Sequence, residues 1–142
     1  WDPDARAAIM GMTRNTTRAH IVRAALEAQA YQTRDLTTAM EKDAGQPLSE
    51  IRVDGGMVAN NWMCQFLSDI TNVDVKRPPI IETTALGAAY LAGMGAGFYG
   101  SLLDISSRWQ AEQTFTPNCA PDNRKSLYEG WQKAVSGVLQ MG

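Results

Sequence analysis

Asp54-Gly55-Gly56, with Asn60 four residues after the second glycine, is the place in this chain where residue types and spacing could do chemistry. Adjacent glycines remove the Cβ atoms that would keep a ligand from lying against the backbone. Placed where a strand ends and a helix begins, they occupy the crevice in which open α/β sheets bind ligands. The N-terminus of that helix offers unpaired N–H groups, and an asparagine beside it supplies both a donor and an acceptor. The same residues also make an ordinary tight strand-to-helix turn with an asparagine cap, which is the commoner use of turn glycines.

The other candidates are weaker. His20 is the only histidine and has no serine, cysteine or second histidine in motif spacing, so it reads as a structural hydrogen-bonding residue. Asp35, Glu41 and Asp43 read as solvated helix-face charges, and Glu27 as partly buried. Arg14 and Arg18 flank a helix start and suit either a phosphate or plain surface. No Walker A motif occurs. Gly95-Ala-Gly97-Phe-Tyr-Gly100 matches the dinucleotide fingerprint, but that motif needs a preceding strand, and a small-residue helix precedes it here. It therefore reads as glycines ending a helix. Asn15-Thr16-Thr17 is a glycosylation sequon by pattern alone. No catalytic set and no metal-ligating set emerges.

The elements that must position the Gly-Gly turn follow from punctuation and periodicity. Residues 17–44 contain neither Gly nor Pro, with Thr17 as N-cap and Gly45 beyond the C-terminus, and predict one helix about 42 Å long. Ile21, Ala25, Ala28, Tyr31, Leu36 and Ala39 approximate its apolar face. A strand at 51–54 stops at the glycines. A helix at 60–70 buries Trp62, Met63, Phe66, Leu67 and Ile70. The next strand, 73–77, is ended by Pro78-Pro79 because proline cannot donate to a ladder. Thr83 or Thr84 caps a helix from 85 to 92 or beyond. An irregular linker spans 101–120, and a last helix at 121–139 buries Leu127, Trp131, Val135 and Val138. Strands separated by helices imply parallel pairing. Two strands alone make a marginal sheet, so the expectation is the back half of an α/β domain whose first strands lie upstream.

The chain has 142 residues, 44% hydrophobic and 20% charged, which is globular composition, and its net charge of −2 gives no electrostatic case for nucleic acid or an anionic membrane. Residues 83–103 carry no charge, but five glycines in the run keep its apolarity below that of a membrane span. The opening residues 1–6 are too charged for a signal peptide. Two cysteines, Cys64 and Cys119, fit a reducing, cytoplasmic setting rather than a disulfide scaffold.

Ala7-x-Ile9-x-Gly11-Met12, seven further residues and then His20-Ile21-x-x-Ala24-Ala25-Leu26-Glu27 resemble the second signature of the FGGY carbohydrate kinases. Within that family, the runs Gly11-Met-Thr-Arg14, Arg52-Val-Asp-Gly-Gly-Met-Val-Ala-Asn-Asn61 and Glu82-Thr-Thr-Ala-Leu-Gly-Ala-Ala-Tyr90 are similar to those of the glycerol kinases. The similarity runs from Trp1 to about Gly100 and more loosely through Trp131. Ala7, Asn15 and Cys64 depart from it conservatively, and the stretch from Ser106 to Arg124 matches poorly.

The resemblance implies an actin-like ATPase fold with two ribonuclease H-like domains. Residues 1–100 would be the C-terminal part of the second domain, with 101–142 a linker and a helix packed on it. It implies that ATP or ADP lies against Gly55, Gly56 and Asn60. Mg²⁺ would be held mainly by residues outside this chain, which also carry the catalytic carboxylate and the glycerol-binding groups. The expected reaction of the complete protein is phosphorylation of glycerol to glycerol 3-phosphate. The expected partners are ATP, glycerol and further copies of the chain in a homo-oligomer. These 142 residues alone are expected to be inactive. A pentulose or gluconate acceptor, and a non-catalytic nucleotide- or partner-binding module, are the alternatives.

Overall fold

The uninterrupted stretch after Thr17 forms α1, Arg18–Ala44, in a computed structural model that describes residues 5–140. Residues 1–4, part of the opening read for a signal peptide, lie outside the described residues. At the start of α1 the His20 Nδ1 atom lies 3.1 Å from the Thr17 backbone nitrogen and 3.0 Å from its Oγ1, closing a capping box around the first turn. At its end Gly45 takes φ 68°, the left-handed conformation that a glycine adopts without a Cβ penalty. The strongest burial on α1 is at Ala30 and Tyr31, while Ala25, Leu36 and Ala39, expected on the apolar face, are exposed. The expected face fails at these positions because the tight packing of α1 centres on Tyr31, whose ring meets Phe66 and Trp131.

Beyond α1 come β1 (Glu50–Arg52), a single 3₁₀ turn (Gly56–Ala59), α2 (Asn61–Thr71) and β2 (Asp74–Arg77). Then follow α3 (Thr83–Gly95), α4 (Leu102–Ser107), β3 (Gln113–Phe115) and α5 (Pro121–Leu139). Strands β1 and β2 pair in parallel, with Ile51 opposite Val75. The expected linker instead contains α4 and β3, and β3 pairs antiparallel to β2, with Val75 opposite Phe115. The sheet therefore has three strands in the order β1-β2-β3. Three residues are too few to show a period of two, so tertiary pairing makes β3 a strand.

The core lies where α2 covers this sheet. Met63, Cys64, Phe66, Leu67 and Ile70 from α2 meet Val75 and Phe115 from the strands, with Ala30 and Tyr31 of α1 above them. Ser68 is buried among them, its Oγ 2.9 Å from the carbonyl oxygens of both Val73 and Phe115, so the polar group is satisfied. Trp62 is not in this core. It is exposed, stacks on Phe66 at a centroid distance of 5.1 Å, and carries the Arg23 guanidinium 5.0 Å from its own ring centroid.

Helix α5 begins with Pro121 at its first position, where the missing N–H costs nothing, and packs against α1 and α2. Trp131 stacks on Tyr31 at 5.6 Å, and its Nε1–H donates to Asp35 over 2.7 Å. The Tyr128 hydroxyl donates to the same carboxylate, so Asp35, exposed on the helix face as expected, is also a clasp between α1 and α5. Burial, followed by the neighbouring Asp35 carboxylate, pushes the Tyr128 hydroxyl above its ordinary pKa. Glu41 is likewise committed, accepting from the Leu48 backbone N–H over 2.8 Å. Glu27 is partly buried as expected, paired with Arg23 over 2.7 Å. Among the described residues no helix is long and apolar enough to cross a membrane.

Candidate functional site

The parallel strands β1 and β2 run in the same direction, so the residues that follow β1 emerge at the carboxyl edge of the sheet. Val53 still donates to the Lys76 carbonyl over 3.1 Å, and then the chain leaves the ladder at Asp54. Gly55 takes φ 84° and ψ 171°, a region essentially restricted to glycine. Its N–H donates to the Ile81 carbonyl over 2.8 Å, which ties the turn to the segment after β2. Gly56 then opens the 3₁₀ turn that leads to Asn60.

A Cβ at either Gly55 or Gly56 would meet no atom of the chain within 4 Å, so the surface above both glycines is open to a ligand. Asn60 sits at the N-cap of α2, and its Oδ1 accepts from the Trp62 and Met63 amides over 3.0 and 3.3 Å. The acceptor half of this side chain is thus spent on the helix, and its exposed amide NH₂ remains a donor. Ala19, Val22, Arg23 and Leu26 of α1 form an open, mainly apolar groove against Asn60 and Trp62. Backbone access, one directed amide donor and an adjoining apolar wall can hold and orient a ligand and bring together no acid–base pair.

Arg77 holds this arrangement in place and was not singled out from the sequence. Its Nη1 donates to the Val58 carbonyl and to Asn61 Oδ1, each over 2.8 Å, and its Nη2 donates to Gln113 Oε1 over 2.8 Å. One side chain therefore ties the 3₁₀ turn, the start of α2 and β3 together. Its place follows from the strand register, which the sequence does not show. Arg52 pairs with Lys76, which puts Arg77 at the same sheet edge as the turn. Cys64 lies beneath, its Sγ 3.3 Å from the Val58 carbonyl, and burial pushes its thiol up against the opposing pull of Arg77.

Thr83 also differs from expectation. Glu82 occupies the N-cap position of α3, and no side chain caps that helix. The Thr83 hydroxyl donates instead to the Asp54 carboxylate, across to the Gly-Gly turn. His20 stays in its capping box, and Arg14 and Arg18 are exposed. Gly95 ends α3 and Gly97 takes φ 77°, so the fingerprint-like run is a helix terminus with no strand before it. Among the described residues no cluster of three or more His, Cys, Asp or Glu side chains could hold a metal.

The sequence profile described as the C-terminal domain of the FGGY family of carbohydrate kinases matches residues 1–96. The chain belongs to this family. It is 56% identical over 138 residues to a glycerol kinase of Rhodospirillum rubrum, a match covering 97% of this chain and 28% of that protein. Among solved structures it is similar to Plasmodium falciparum glycerol kinase with ADP, at 40% identity and a TM-score of 0.82, over 98% of this chain and 28% of the other. Ligand-bound xylulose kinase from Lactobacillus acidophilus is similar at 23% identity and a TM-score of 0.77, again over 98% and 28%, and shares the fold. The chain therefore has the fold of a C-terminal part of the FGGY kinases, whose fold is actin-like ATPase, and it spans 28% of the length of the curated relatives it matches.

Proposed function

We propose that this chain supplies the adenosine side of the nucleotide site of an ATP-dependent glycerol kinase, with Gly55, Gly56 and Asn60 against the nucleotide. The observation that carries this reading is the turn itself. A glycine-only conformation at Gly55, an open face at Gly56 and a directed donor at Asn60 stand at the carboxyl edge of a parallel strand. The support from likeness is the 40% identity to a glycerol kinase whose structure contains ADP.

In this reading the chain's own residues bind and orient. The Gly-Gly turn lets the nucleotide lie on backbone, Asn60 fixes its rotation through the amide donor, and the α1 groove excludes water from its apolar part. Transfer of the terminal phosphoryl group to a glycerol hydroxyl depends on positioning and charge stabilisation of the phosphates. Mg²⁺ supplies part of that stabilisation, and the described residues offer no cluster to ligate it. We place the metal ligands, the base and the glycerol contacts on residues outside this chain. Residues 101–142 are assigned to the same domain, supported by the pairing of β3 with β2 and the packing of α5 on α1 and α2. The reading includes a cytosolic location and a homo-oligomeric assembly, which fractionation and sedimentation test separately.

The deciding experiment measures ADP release from ATP by the gene product at its native length, with glycerol, xylulose and gluconate offered in turn. Glycerol-dependent release, absent with the 142-residue chain alone, is expected. Release that depends on xylulose or gluconate instead moves the acceptor, and no release with any of the three sinks the kinase reading.

A further inference from the structure

The sequence gives the Asp54 side chain no partner and offers Thr83 only as a helix cap, and the structure joins the two. We infer that they form a positioning clasp for the nucleotide-facing turn, an inference that rests on the proposed nucleotide site and deepens it. The Thr83 hydroxyl donates to Asp54 Oδ2, and one residue further along the turn the Gly55 N–H donates to the Ile81 carbonyl over 2.8 Å. Two consecutive residues of the turn are thus bonded to two positions just before and at the start of α3.

This pair matters because of what it holds. Gly55 has the widest backbone freedom of any residue type, so its conformation depends on the bonds that hold the turn: its own N–H to Ile81, its carbonyl accepting from the Val58 N–H over 3.2 Å, and the Asp54 side chain to Thr83. Helix α3 buries none of its side chains among the described residues, so hydrogen bonds at its N-terminal end set where it meets the turn. Thr83 is the first residue of α3, and its hydroxyl turns to Asp54 while Glu82, at the N-cap, makes no side-chain cap bond. A hydroxyl bound to a carboxylate is a charge-assisted bond, stronger than a neutral one. It also directs an exposed carboxylate toward α3, a favourable arrangement beside a site for a polyanion. Asp54 and Thr83 touch no ligand in this proposal. They act through Gly55 and Gly56.

The test is a double-mutant cycle of ADP affinities, measured by calorimetry on the gene product at its native length. T83V and D54A remove the two halves of the bond, whereas T83S and D54N keep a hydroxyl and an acceptor oxygen. T83V and D54A should each weaken ADP binding roughly tenfold. The double variant should be no weaker than either single one, and T83S and D54N should stay within about twofold of the unaltered protein. Kinetically, KM for ATP should rise by the same factor while KM for glycerol stays fixed. Losses that multiply in the double variant, a T83S as weak as T83V, or a T83V that binds like the unaltered protein overturns the clasp. A second measurement needs no variant. Saturating ADP should slow amide exchange at 55–56 and at 83–86 together, and slowing at 55–56 alone also overturns it. Absence of ADP binding by the unaltered protein instead overturns the nucleotide site itself.

Discussion

Asn60 spends its side-chain oxygen on the Trp62 and Met63 amides and keeps its NH₂ for whatever lies above the turn. The two uses separate under substitution. Aspartate caps a helix about as well as asparagine, and its charge suits the positive end of the helix. N60D should therefore leave the unfolding midpoint unchanged or slightly raised, while ADP affinity falls at least tenfold because the amide donor has become a carboxylate that only accepts. N60A should lose both, with about 1 kcal/mol of stability going with the cap. Thermal unfolding and ADP titration of the two variants check this, and an N60D that binds ADP normally removes Asn60 from the site. The Gly55-Gly56 turn and the Asn60 cap were legible in the sequence because glycine pairs and cap residues have local meanings. Arg77 and Thr83 were not, since both act across the sheet edge and an arginine or threonine alone does not say which loop it reaches.

Between elements, β1 and β2 are joined on their outer face by Glu50, whose Oε1 lies 2.7 Å from Arg52 Nε and whose Oε2 accepts from Lys76. The Lys76 bond, then the Arg52 bond, hold the Glu50 carboxyl below the usual carboxylate range. A carboxyl depressed in the folded state contributes stability above its unfolded pKa, and that contribution is lost as pH falls through the folded value. The stability difference between the unaltered protein and E50Q should accordingly shrink as pH falls from 6 to 3. A difference constant over that range shows that the pair adds nothing to pairing of these strands. The pair is solvent-accessible, so added salt should shrink the difference as well. The long elements were legible for a related reason. α1 and α5 are bounded by Gly45 and Pro121, whose backbone preferences are local, and the strands β1 and β2 by the glycine and proline pairs after them. The partners of each element were not. Leu36 and Ala39 follow helical spacing yet face outward, Trp62 rides on the surface of its helix, and β3 exists only because β2 offers it an edge.

For the whole molecule the telling feature is an apolar surface carried by two helices and the loop between them. Leu91 is 66% exposed, Phe98 80%, Leu102 66% and Leu103 78%, and α3 and α4 bury no side chain among the described residues. Single exposed apolar residues are ordinary, but a run of them along consecutive elements drives association. The 142-residue chain in isolation should therefore self-associate at micromolar concentrations and bind a hydrophobic dye. F98Q and L103Q together should reduce that association. They should leave the unfolding midpoint nearly fixed, because neither side chain contributes to the core formed by α1, α2 and the sheet. Sedimentation velocity across a dilution series gives the first quantity and calorimetric unfolding the second. A midpoint lowered by several degrees places Phe98 and Leu103 inside the folded core of the isolated chain. Unchanged association assigns self-contact to another face, with the exposed Val22, Leu36 and Met40 along α1 the next to alter.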